Sequence, residues 1–474
     1  MAGNTRGGPP PGKQVQIPHD VLLAKLKAMN MAGDHQGVLT FGDKQPAVVG
    51  SSPALLTVVA EAAVALKRND RAEALRRQVL TLEPGHPSTT NNLAVLLIRR
   101  DAFDEAEALC RGLLESDPDH VEARYNLCLI HLRRCELADA EAQARQVLQR
   151  RPNHERAPFV IGLSLLTQGR YAEGWPGFEA RMLPVNSAGN IITPNVPYPA
   201  WNGQPLEGKS ILVWMEQGLG DEIMMARFAP ELKARGAAQV SWICKPAMAP
   251  LLRRVGGIDT LYVAQGQLTM PRHDYWVLPM SLPKHLGVTL ETVPADIPYI
   301  EPVHDLLSAA TDEGAFRVGL VWKGSALLAN DRNRSLPNLE TLKGLWDVPG
   351  VEFVSLQKGE GEEQGVRPPA GQPLTNVSPQ LSDLGATAAV IQGLDLVITV
   401  DTAVAHLAGA LGKPCFVMLP QIGLDWRWLT GRSDSPWYPT LTLFRQTTSA
   451  DWSPVVAQMA RALRELVQAK AAKA

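Results

Sequence analysis

The stretch DLVITVDTAVAHLAGALGKP, residues 395–414, joins a short apolar run to a longer run of small and apolar residues. LVITV is typical of a buried parallel strand, and AVAHLAGALG indicates the helix that follows it. Asp401 and Thr402 stand at the carboxyl end of this strand, the edge where open α/β sheets bind ligands. A helix N-terminus with a Thr hydroxyl suits a diphosphate, so we expect Asp401, Thr402, Ala403 and His406 to contact one. The alternative is structural: Asp401 or Thr402 caps the helix, and His406 packs on it.

Similar apolar runs occur in two sets that alternate with helical stretches, which is the pattern of βαβ units and parallel sheets. The first set comprises SILVWMEQ, QVSWICK, TLYVA and DYWVLPM, and the second RVGLVWKG, VEFVSLQKG, DLVITV, KPCFVML and LTLFRQ. They predict two Rossmann-like lobes, at 209–305 and 306–474, after a Pro/Asn/Gly-rich linker at 187–208. The ligand site is expected in the cleft between the lobes. A closing helix is expected to pack back across both lobes.

Before the linker, the sequence repeats with a period of 34 residues. The matching columns are Pro84, Pro118 and Pro152; Ala72, Ala106, Ala140 and Gly174; and Ala60, Ala94, Cys128 and Gly162. Small residues at two fixed places let helices pack closely, and this pattern resembles the tetratricopeptide repeat. We predict an α-solenoid at 51–186, with a fourth, less regular copy from about residue 155. Residues 1–50 are expected to be a flexible segment, which begins Gly/Pro-rich and contains one short helical pattern, VLLAKLKAM, at 21–29.

The segment after the first predicted strand contains GLGDE, with glycines that let the backbone turn and a ligand approach. Gly218 and Gly220 begin a GxGxxG pattern, but Ile223 occupies its third glycine position. This disfavours a nicotinamide-dependent dehydrogenase, and we expect Gly218 and Gly220 to border a donor diphosphate instead. Asp221 faces the predicted cleft and is a candidate general base for an acceptor hydroxyl. Its alternative role is a helix N-cap.

Cationic side chains also follow strands of the second lobe. Lys323, Arg332 and Arg334 are expected to neutralise a departing diphosphate, with a solvated basic loop as the alternative. Gln357 and Lys358 end the next strand at the same edge and are candidates to line a nucleotide pocket, or to form an ordinary turn.

The Trp-rich segment at 423–428 could stack on a base or fill the core. Asp117-Pro-Asp119 lies in a repeat loop, and the ten histidines form no HxH or HExxH pair, so we predict no metal site.

Composition narrows the function classes. The net charge of −2 excludes bulk attraction to nucleic acid or an anionic membrane, and 45% hydrophobic residues allow a normal core. Five scattered cysteines fit a reducing compartment. Neither a secretory signal nor a membrane-spanning run is evident, so a cytoplasmic location without stable membrane insertion is expected.

Four blocks together resemble the heptosyltransferase-type glycosyltransferases, which are bilobal (GT-B) enzymes that use nucleotide-diphosphate sugars. The blocks are GLGDEIMMARFAP (218–230), NRSLP (333–337), SLQKG (355–359) and residues 395–414. The resemblance covers about 209–446. The whole layout, an α-solenoid of tetratricopeptide repeats before an α/β GT-B body, also resembles O-GlcNAc transferase and bacterial flagellin glycosyltransferases.

The resemblance implies roles for matching residues. Asp221 corresponds to the family's general base, and Arg334, in RSLP, stands where the family has a phosphate-binding lysine in a KRWP-like motif. Asp401, Thr402 and His406 match the block that holds the sugar nucleotide. The resemblance thus implies that the lobe at 306–474 is the donor side and the lobe at 209–305 the acceptor side. An inverting single displacement without a metal or cofactor follows, in which the nucleotide-diphosphate sugar is a co-substrate.

The acceptor is expected on the repeats, because the concave face of a solenoid binds extended peptides. Asn92 and Asn126 lie 34 residues apart. O-GlcNAc transferase similarly lines its concave face with repeated asparagines, whose amides donate to and accept from a peptide backbone. The leading hypothesis is a glycosyltransferase acting on protein Ser/Thr hydroxyls, of flagellin or another bacterial surface protein. The alternatives are a lipopolysaccharide or glycan acceptor, or a non-catalytic repeat scaffold.

Overall fold

A computed structural model describes residues 18–187, 191–216, 218–301, 315–328 and 330–472. These residues form two compact units, with the boundary between Ile130 and His131. The predicted order of helical repeats followed by parallel α/β lobes is confirmed.

Helices fill most of the described chain from His19 to Ser187. They are α1 (His19–Met31), α2 (His35–Lys44), α3 (Pro46–Gly50), α4 (Pro53–Ala65), α5 (Asn69–Leu82), α6 (Pro87–Arg99), α7 (Phe103–Ser116), α8 (Val121–Arg133), α9 (Leu137–Arg150), α10 (Ala157–Thr167), α11 (Tyr171–Phe178) and α12 (Pro184–Ser187). The 3-10 helix Glu179–Met182 follows α11.

Five helix pairs share the 34-residue register, one more than the four predicted. The second helices, α2, α5, α7, α9 and α11, begin 34 residues apart. Two residues before each of them, the backbone is left-handed, at Gly33, Lys67, Asp101, Cys135 and Gly169, with φ between 59° and 82°. A residue in this conformation ends a helix and reverses the chain, so one local turn recurs in every pair.

The flexible segment expected at 1–50 is therefore wrong from residue 19 onward; the first 17 residues lie outside the described part. Helices α1 and α2 contact α4, and Leu26 and Val38 are buried in the same core. The sequence pattern missed this pair because Leu26 and Val38 occupy the two columns where the later repeats have small residues.

The small columns of the later repeats are buried, as their spacing predicts. Six residues of these two columns are almost fully buried: Ala60, Ala72, Ala94, Ala106, Cys128 and Ala140. Pro84, Pro118 and Pro152 each lie just beyond the end of a second helix, where proline does not interrupt helical hydrogen bonds.

The first lobe is built on a four-stranded parallel sheet in the order β3-β2-β1-β4. Its elements are β1 (Ser210–Val213), α13 (Leu219–Ala226), α14 (Phe228–Ala234), β2 (Gln239–Cys244), α15 (Ala249–Leu252), β3 (Thr260–Val263), β4 (Tyr275–Val277) and α16 (Leu282–Leu286), with 3-10 helices Pro246–Met248 and Pro279–Ser281.

The second lobe has a six-stranded parallel sheet in the order β10-β9-β8-β5-β6-β7. Its elements are β5 (Phe316–Val321), α17 (Asp331–Arg334), β6 (Val351–Ser355), α18 (Glu362–Val366), β7 (Thr375–Asn376), α19 (Leu384–Gln392), β8 (Leu396–Val400), α20 (Ala403–Ala410), β9 (Cys415–Leu419), β10 (Leu441–Arg445) and α21 (Ser453–Ala471). The 3-10 helices are Leu339–Leu345, Ser378–Gln380 and Trp426–Trp428. Because the strands are parallel, their carboxyl ends meet along one edge.

Among the described residues, the main contacts of the closing helix α21 are with the second lobe, so the expectation that it packs across both lobes is wrong. Its buried face joins a core made of residues from Phe316 onward. Near its end, Lys470 Nζ lies 2.8 Å and 2.9 Å from the Asp395 carboxylate oxygens, just before β8. The apolar spacing of an amphipathic helix predicts a buried face, but it does not say which neighbour that face covers.

The last helix pair, α10 and α11, shares a hydrophobic core with the two α/β lobes. Tyr171 and Trp175 of α11 lie against Trp426 and Trp437 of the second lobe. The final pair of the repeat register is thus also part of the α/β body. No helix in the described ranges is both long and apolar enough to span a bilayer.

We predict that Gly162→Ala destabilises the protein. A Cβ on Gly162 would lie 2.4 Å from the backbone nitrogen of Phe178, so α10 and α11 would have to separate. Overpacking of this kind costs about 1–3 kcal/mol, or a fall of several degrees in the melting temperature. The matched control is Gly112→Ala in α7, where the new Cβ meets nothing within 4 Å and helix propensity improves. If both variants melt like the wild type, the close packing is refuted.

Candidate active site

The two lobes meet where α13, which follows β1, packs on α20, which follows β8. Gly220 makes this approach possible, because a Cβ there would lie 2.7 Å from His406 Cδ2. The carboxyl ends of β1 and β8 therefore face one another, as the predicted cleft requires.

Asp221 lies in the first turn of α13, but it is not the N-cap. The N-cap is Gly218, with φ of +85° and no side-chain capping hydrogen bond. The Asp221 carboxylate lies against Gly218, where a Cβ would come within 2.4 Å of Oδ2. The capping alternative is wrong, and the Asp221 side chain, 27% exposed, remains accessible to solvent.

Arg427, a residue that the sequence did not single out, connects Asp221 to the second lobe. Its Nη2 donates to Asp221 Oδ1, and its Nη1 lies 2.8 Å and 2.9 Å from the two Asp425 oxygens. The guanidinium lies over the Trp426 ring, 4.5 Å from its centroid, and the side chain is 9% exposed. One buried arginine thus bridges two carboxylates that belong to different lobes.

The environment of Asp221 suits a base that works near neutral pH. Burial raises the pKa of Asp221 to about 6, and the Arg427 guanidinium acts against that rise. Above pH 6 the carboxylate is therefore mostly ionised, yet it is a better proton acceptor than an ordinary aspartate.

The adjacent Glu222 is a different kind of acid. Its side chain is buried, and neither carboxyl oxygen has a hydrogen-bond partner. Burial raises the pKa of Glu222 to about 8, so this side chain is protonated at neutral pH. Of the two neighbouring acids, only Asp221 is ionised and accessible.

The start of α20 shows the capping arrangement that was the structural alternative for this block. Thr402 is the N-cap, and its Oγ1 accepts from the backbone nitrogen of Val404 at 3.3 Å. Ala403 is the first helical residue. Burial and the nearby Asp425 carboxylate raise the pKa of Asp401 to about 6. A helix N-terminus with a capping hydroxyl still leaves backbone N–H groups for an anion.

His406 is packed rather than exposed. Its Nδ1 lies 3.0 Å from Tyr438 Oη, and its ring stacks on Trp428 with centroids 5.2 Å apart. Burial lowers the pKa of His406 to about 3, so the imidazole is neutral. His406 therefore follows the packed alternative: its neutral ring holds α20 against Tyr438 and Trp428 and offers no positive charge to a ligand.

The predicted diphosphate cations are placed around the same edge, and several are paired. Lys323 Nζ lies 3.2 Å from Glu360, and Arg334 Nε donates to Asp331 Oδ1 at 3.0 Å. Arg334 Nη1 also donates to the Asp401 carbonyl at 2.7 Å, which ties the loop after β5 to the end of β8. Arg332 is exposed on α17.

Gln357 was predicted to line a nucleotide pocket, but its side-chain amide bonds the protein backbone instead. Its Oε1 accepts from the backbone nitrogens of Trp322 and Lys323, and its Nε2 donates to the carbonyl of Glu360 at 2.8 Å. The amide is therefore consumed in joining the ends of β5 and β6. Lys358 is exposed and holds Glu362 at 3.2 Å, as in an ordinary turn.

For the Trp-rich segment the core alternative is confirmed, whereas the expected peptide-binding role of Asn126 is wrong. Trp426 and Trp428 are buried, so they fill the core and do not present a face to a base. Asn126 is also buried and donates to Asn91 Oδ1 at 2.8 Å, so its amide is not offered to a peptide. The carbonyl of Asn92 accepts from Arg76. The 34-residue spacing therefore does not give two asparagines that both offer an amide to a peptide, because the Asn126 amide is already bonded to Asn91.

Within the described ranges, one group of three side chains has potential metal-ligand atoms within 4.8 Å of one another: His131, Glu136 and Asp139. It lies at the α8–α9 turn, away in sequence from the strand ends that carry Asp221 and Asp401. All five cysteines are free thiols.

Comparisons with known proteins assign both parts of the chain. Residues 63–120 and 101–158 match the tetratricopeptide repeat, and residues 350–418 match glycosyltransferase family 9 (heptosyltransferase). The chain therefore matches tetratricopeptide repeats in its first part and, over residues 350–418, glycosyltransferase family 9.

Among individual proteins, the chain is 31% identical over 331 residues to Protein FlbA of Caulobacter vibrioides, covering 64% of this chain. It spans about half, 54%, of the length of that relative. A glycosyl transferase family 9 structure from Veillonella parvula aligns with 14% identity over 56% of this chain and 99% of its own, with a TM-score of 0.43. The tetratricopeptide protein YrrB aligns with 14% identity over 35% and 85%, with a TM-score of 0.31.

The two acids lead to a prediction about pH. Because the folded pKa of Glu222 exceeds its unfolded value, its contribution to stability is full below about pH 4.5 and is lost as pH rises to about 8. The slope is roughly 1.4 kcal/mol per pH unit. Glu222→Gln mimics the protonated acid, so its melting temperature should exceed that of the wild type by several degrees more at pH 8 than at pH 5. Equal differences at both pH values would show that Glu222 is not held protonated.

Proposed function

We propose that this chain is a glycosyltransferase that moves a sugar from a nucleotide-diphosphate donor to a protein hydroxyl. The observation that carries the proposal is the Asp221 carboxylate at the junction of the two lobes, with a pKa of about 6 and Arg427 as its partner. The family 9 match supports it, because residues 350–418 include β8 and the start of α20.

In the proposed reaction, Asp221 takes the proton of the acceptor hydroxyl as its oxygen attacks the anomeric carbon. The bond from that carbon to the diphosphate oxygen breaks, and the nucleoside diphosphate leaves with the electron pair. A single displacement of this kind inverts the anomeric centre. Lys323, Arg334 and the N-terminus of α20 neutralise the leaving group. Lys323 would exchange Glu360 for a phosphate oxygen, because a doubly charged diphosphate is the stronger partner.

The repeats supply the proposed acceptor site. Tetratricopeptide repeats form surfaces that bind peptides or proteins, and the helix pairs of the unit that ends at Ile130 repeat with the 34-residue spacing. We assign the acceptor to a protein such as flagellin and the location to the cytoplasm, where free, mostly buried cysteines stay reduced.

A nucleotide should stabilise the protein in thermal-shift measurements with UDP, ADP, GDP and CMP. A ligand at about 100 times its dissociation constant adds about 2.7 kcal/mol, a shift of several degrees. One diphosphate should shift the melting temperature more than CMP, which has a single phosphate. If none of the four nucleotides shifts it, a non-catalytic scaffold is the better assignment.

Asp221→Asn should abolish sugar transfer while the protein remains folded, because an amide cannot accept the acceptor proton. The measurement is the intact mass of flagellin coexpressed with each variant. A loss of at least about 100-fold is expected for a missing general base. Glu222→Gln is the matched control, since it changes the neighbouring acid by the same atoms and should leave the sugar mass on flagellin. Normal modification by Asp221→Asn would rule out Asp221 as the base.

A further inference from the structure

We infer that Arg427 is the positioning residue for Asp221: it holds the carboxylate at the junction of the lobes and in its ionised form. This inference rests on the proposed role of Asp221 as the general base. It adds a residue from the second lobe to a base that the first lobe carries.

The contact is a two-ended bridge. Nη1 is engaged by both Asp425 oxygens, and Nη2 is left to point at Asp221. The guanidinium is planar, so engagement of one end by Asp425 fixes the direction of the other. A lysine keeps the charge but has no second arm, and it therefore cannot hold both carboxylates in this geometry.

Arg427 is itself held in place by its neighbour Trp426, which packs on helix α11 of the last repeat pair. Its backbone nitrogen donates to Asp425 Oδ1 at 3.0 Å, and its guanidinium lies on Trp426. The Trp426 ring meets Trp175 edge-on with centroids 5.3 Å apart, and Phe178 at 5.7 Å. The orientation of the guanidinium toward Asp221 therefore depends on side chains of α11.

The charges that face Asp221 make Arg427 the decisive cation. Asp425, Glu216 and Arg181 also act on Asp221, and the Asp401 carboxylate acts on Arg427. Arg181 Nε donates to Glu216 Oε1 at 2.9 Å, so these two largely offset one another, and Asp425 is itself negative. Without Arg427, Asp221 would be a partly buried carboxyl beside a second carboxylate, and it would take up a proton at higher pH.

The test is the pH profile of kcat/KM for nucleotide release from UDP-N-acetylglucosamine, GDP-mannose and ADP-glucose, with water as the acceptor. Water attacks the anomeric carbon, Asp221 takes its proton, and the nucleoside diphosphate leaves. The comparison uses the sugar nucleotide that the wild type cleaves. Arg427→Met should move the acidic limb of the kcat/KM profile to higher pH by roughly one unit or more. The ratio of its kcat/KM to that of the wild type should therefore approach one toward pH 9. Arg427→Lys should move it less.

The matched control is Arg432→Met. Arg432 forms an ion pair with Asp434 in the same region, is 30% exposed, and does not reach Asp221. Its acidic limb should stay in place. A loss for Arg427→Met that is equal at every pH would mean a structural role only and would overturn the inference. If Arg427→Met does not fold, the pH profile of Arg427→Lys decides in the same way.

A second measurement does not depend on activity. The melting temperatures of Asp221→Asn, Arg427→Met and the double variant should be non-additive, because the pair can be broken only once. Additive effects would refute the pairing. If the wild type cleaves none of the sugar nucleotides, the proposed function fails and the role of Arg427 in it fails too, while the melting temperatures still report whether the pair exists.

Discussion

The α/β body depends on one buried aromatic cluster, in which α11 of the last repeat pair meets the segment that carries Arg427. Tyr171 and Trp175 pack on Trp426 and Trp437, and Tyr171 Oη accepts from Trp437 Nε1 at 2.8 Å. Aromatic rings pack with defined edge and face orientations, so the cluster sets an angle as well as burying area. The Trp426 ring packs on this cluster, and the Trp428 ring stacks on His406, so the residues on both sides of Arg427 are anchored. The last repeat pair is therefore a structural part of the α/β body that carries the site.

The second consequence is electrostatic. The chain is nearly neutral as a whole, yet the cleft brings Asp221, Asp401 and Asp425 close to Arg334 and Arg427. Within such a cluster, the ionisation of each acid reflects its burial and its nearest cation rather than its residue type. Asp221 and Glu222 are adjacent in sequence, but one is accessible beside Arg427 and the other is buried without a partner. The first can take a proton at neutral pH, and the second already holds one.

Much of the fold was predictable because its signals are local. The 34-residue columns located the repeats, and the apolar runs located both parallel sheets. The first repeat pair was missed because Leu26 and Val38 fill columns where small residues were expected, although Gly33 and Gly169 show the shared left-handed turn. In the site, Asp221 and the start of α20 were found from their positions after strands. Arg427 was missed because Trp-Arg-Trp is typical of core sequence, and its two flanking rings are indeed buried.

By itself, the sequence determined the repeat register, the order of the strands along the chain, and the residues that follow each strand, because periodicity and turn chemistry act over a few residues. Only the tertiary structure decided which polar groups remain available for chemistry. Gln357 and Asn126 are spent on internal hydrogen bonds, and His406 is packed as a neutral ring. Asp221 gains its partner from a residue 206 positions away. Burial and ion pairing join distant segments, so neither the charge state nor the direction of a side chain can be read from its neighbours in sequence.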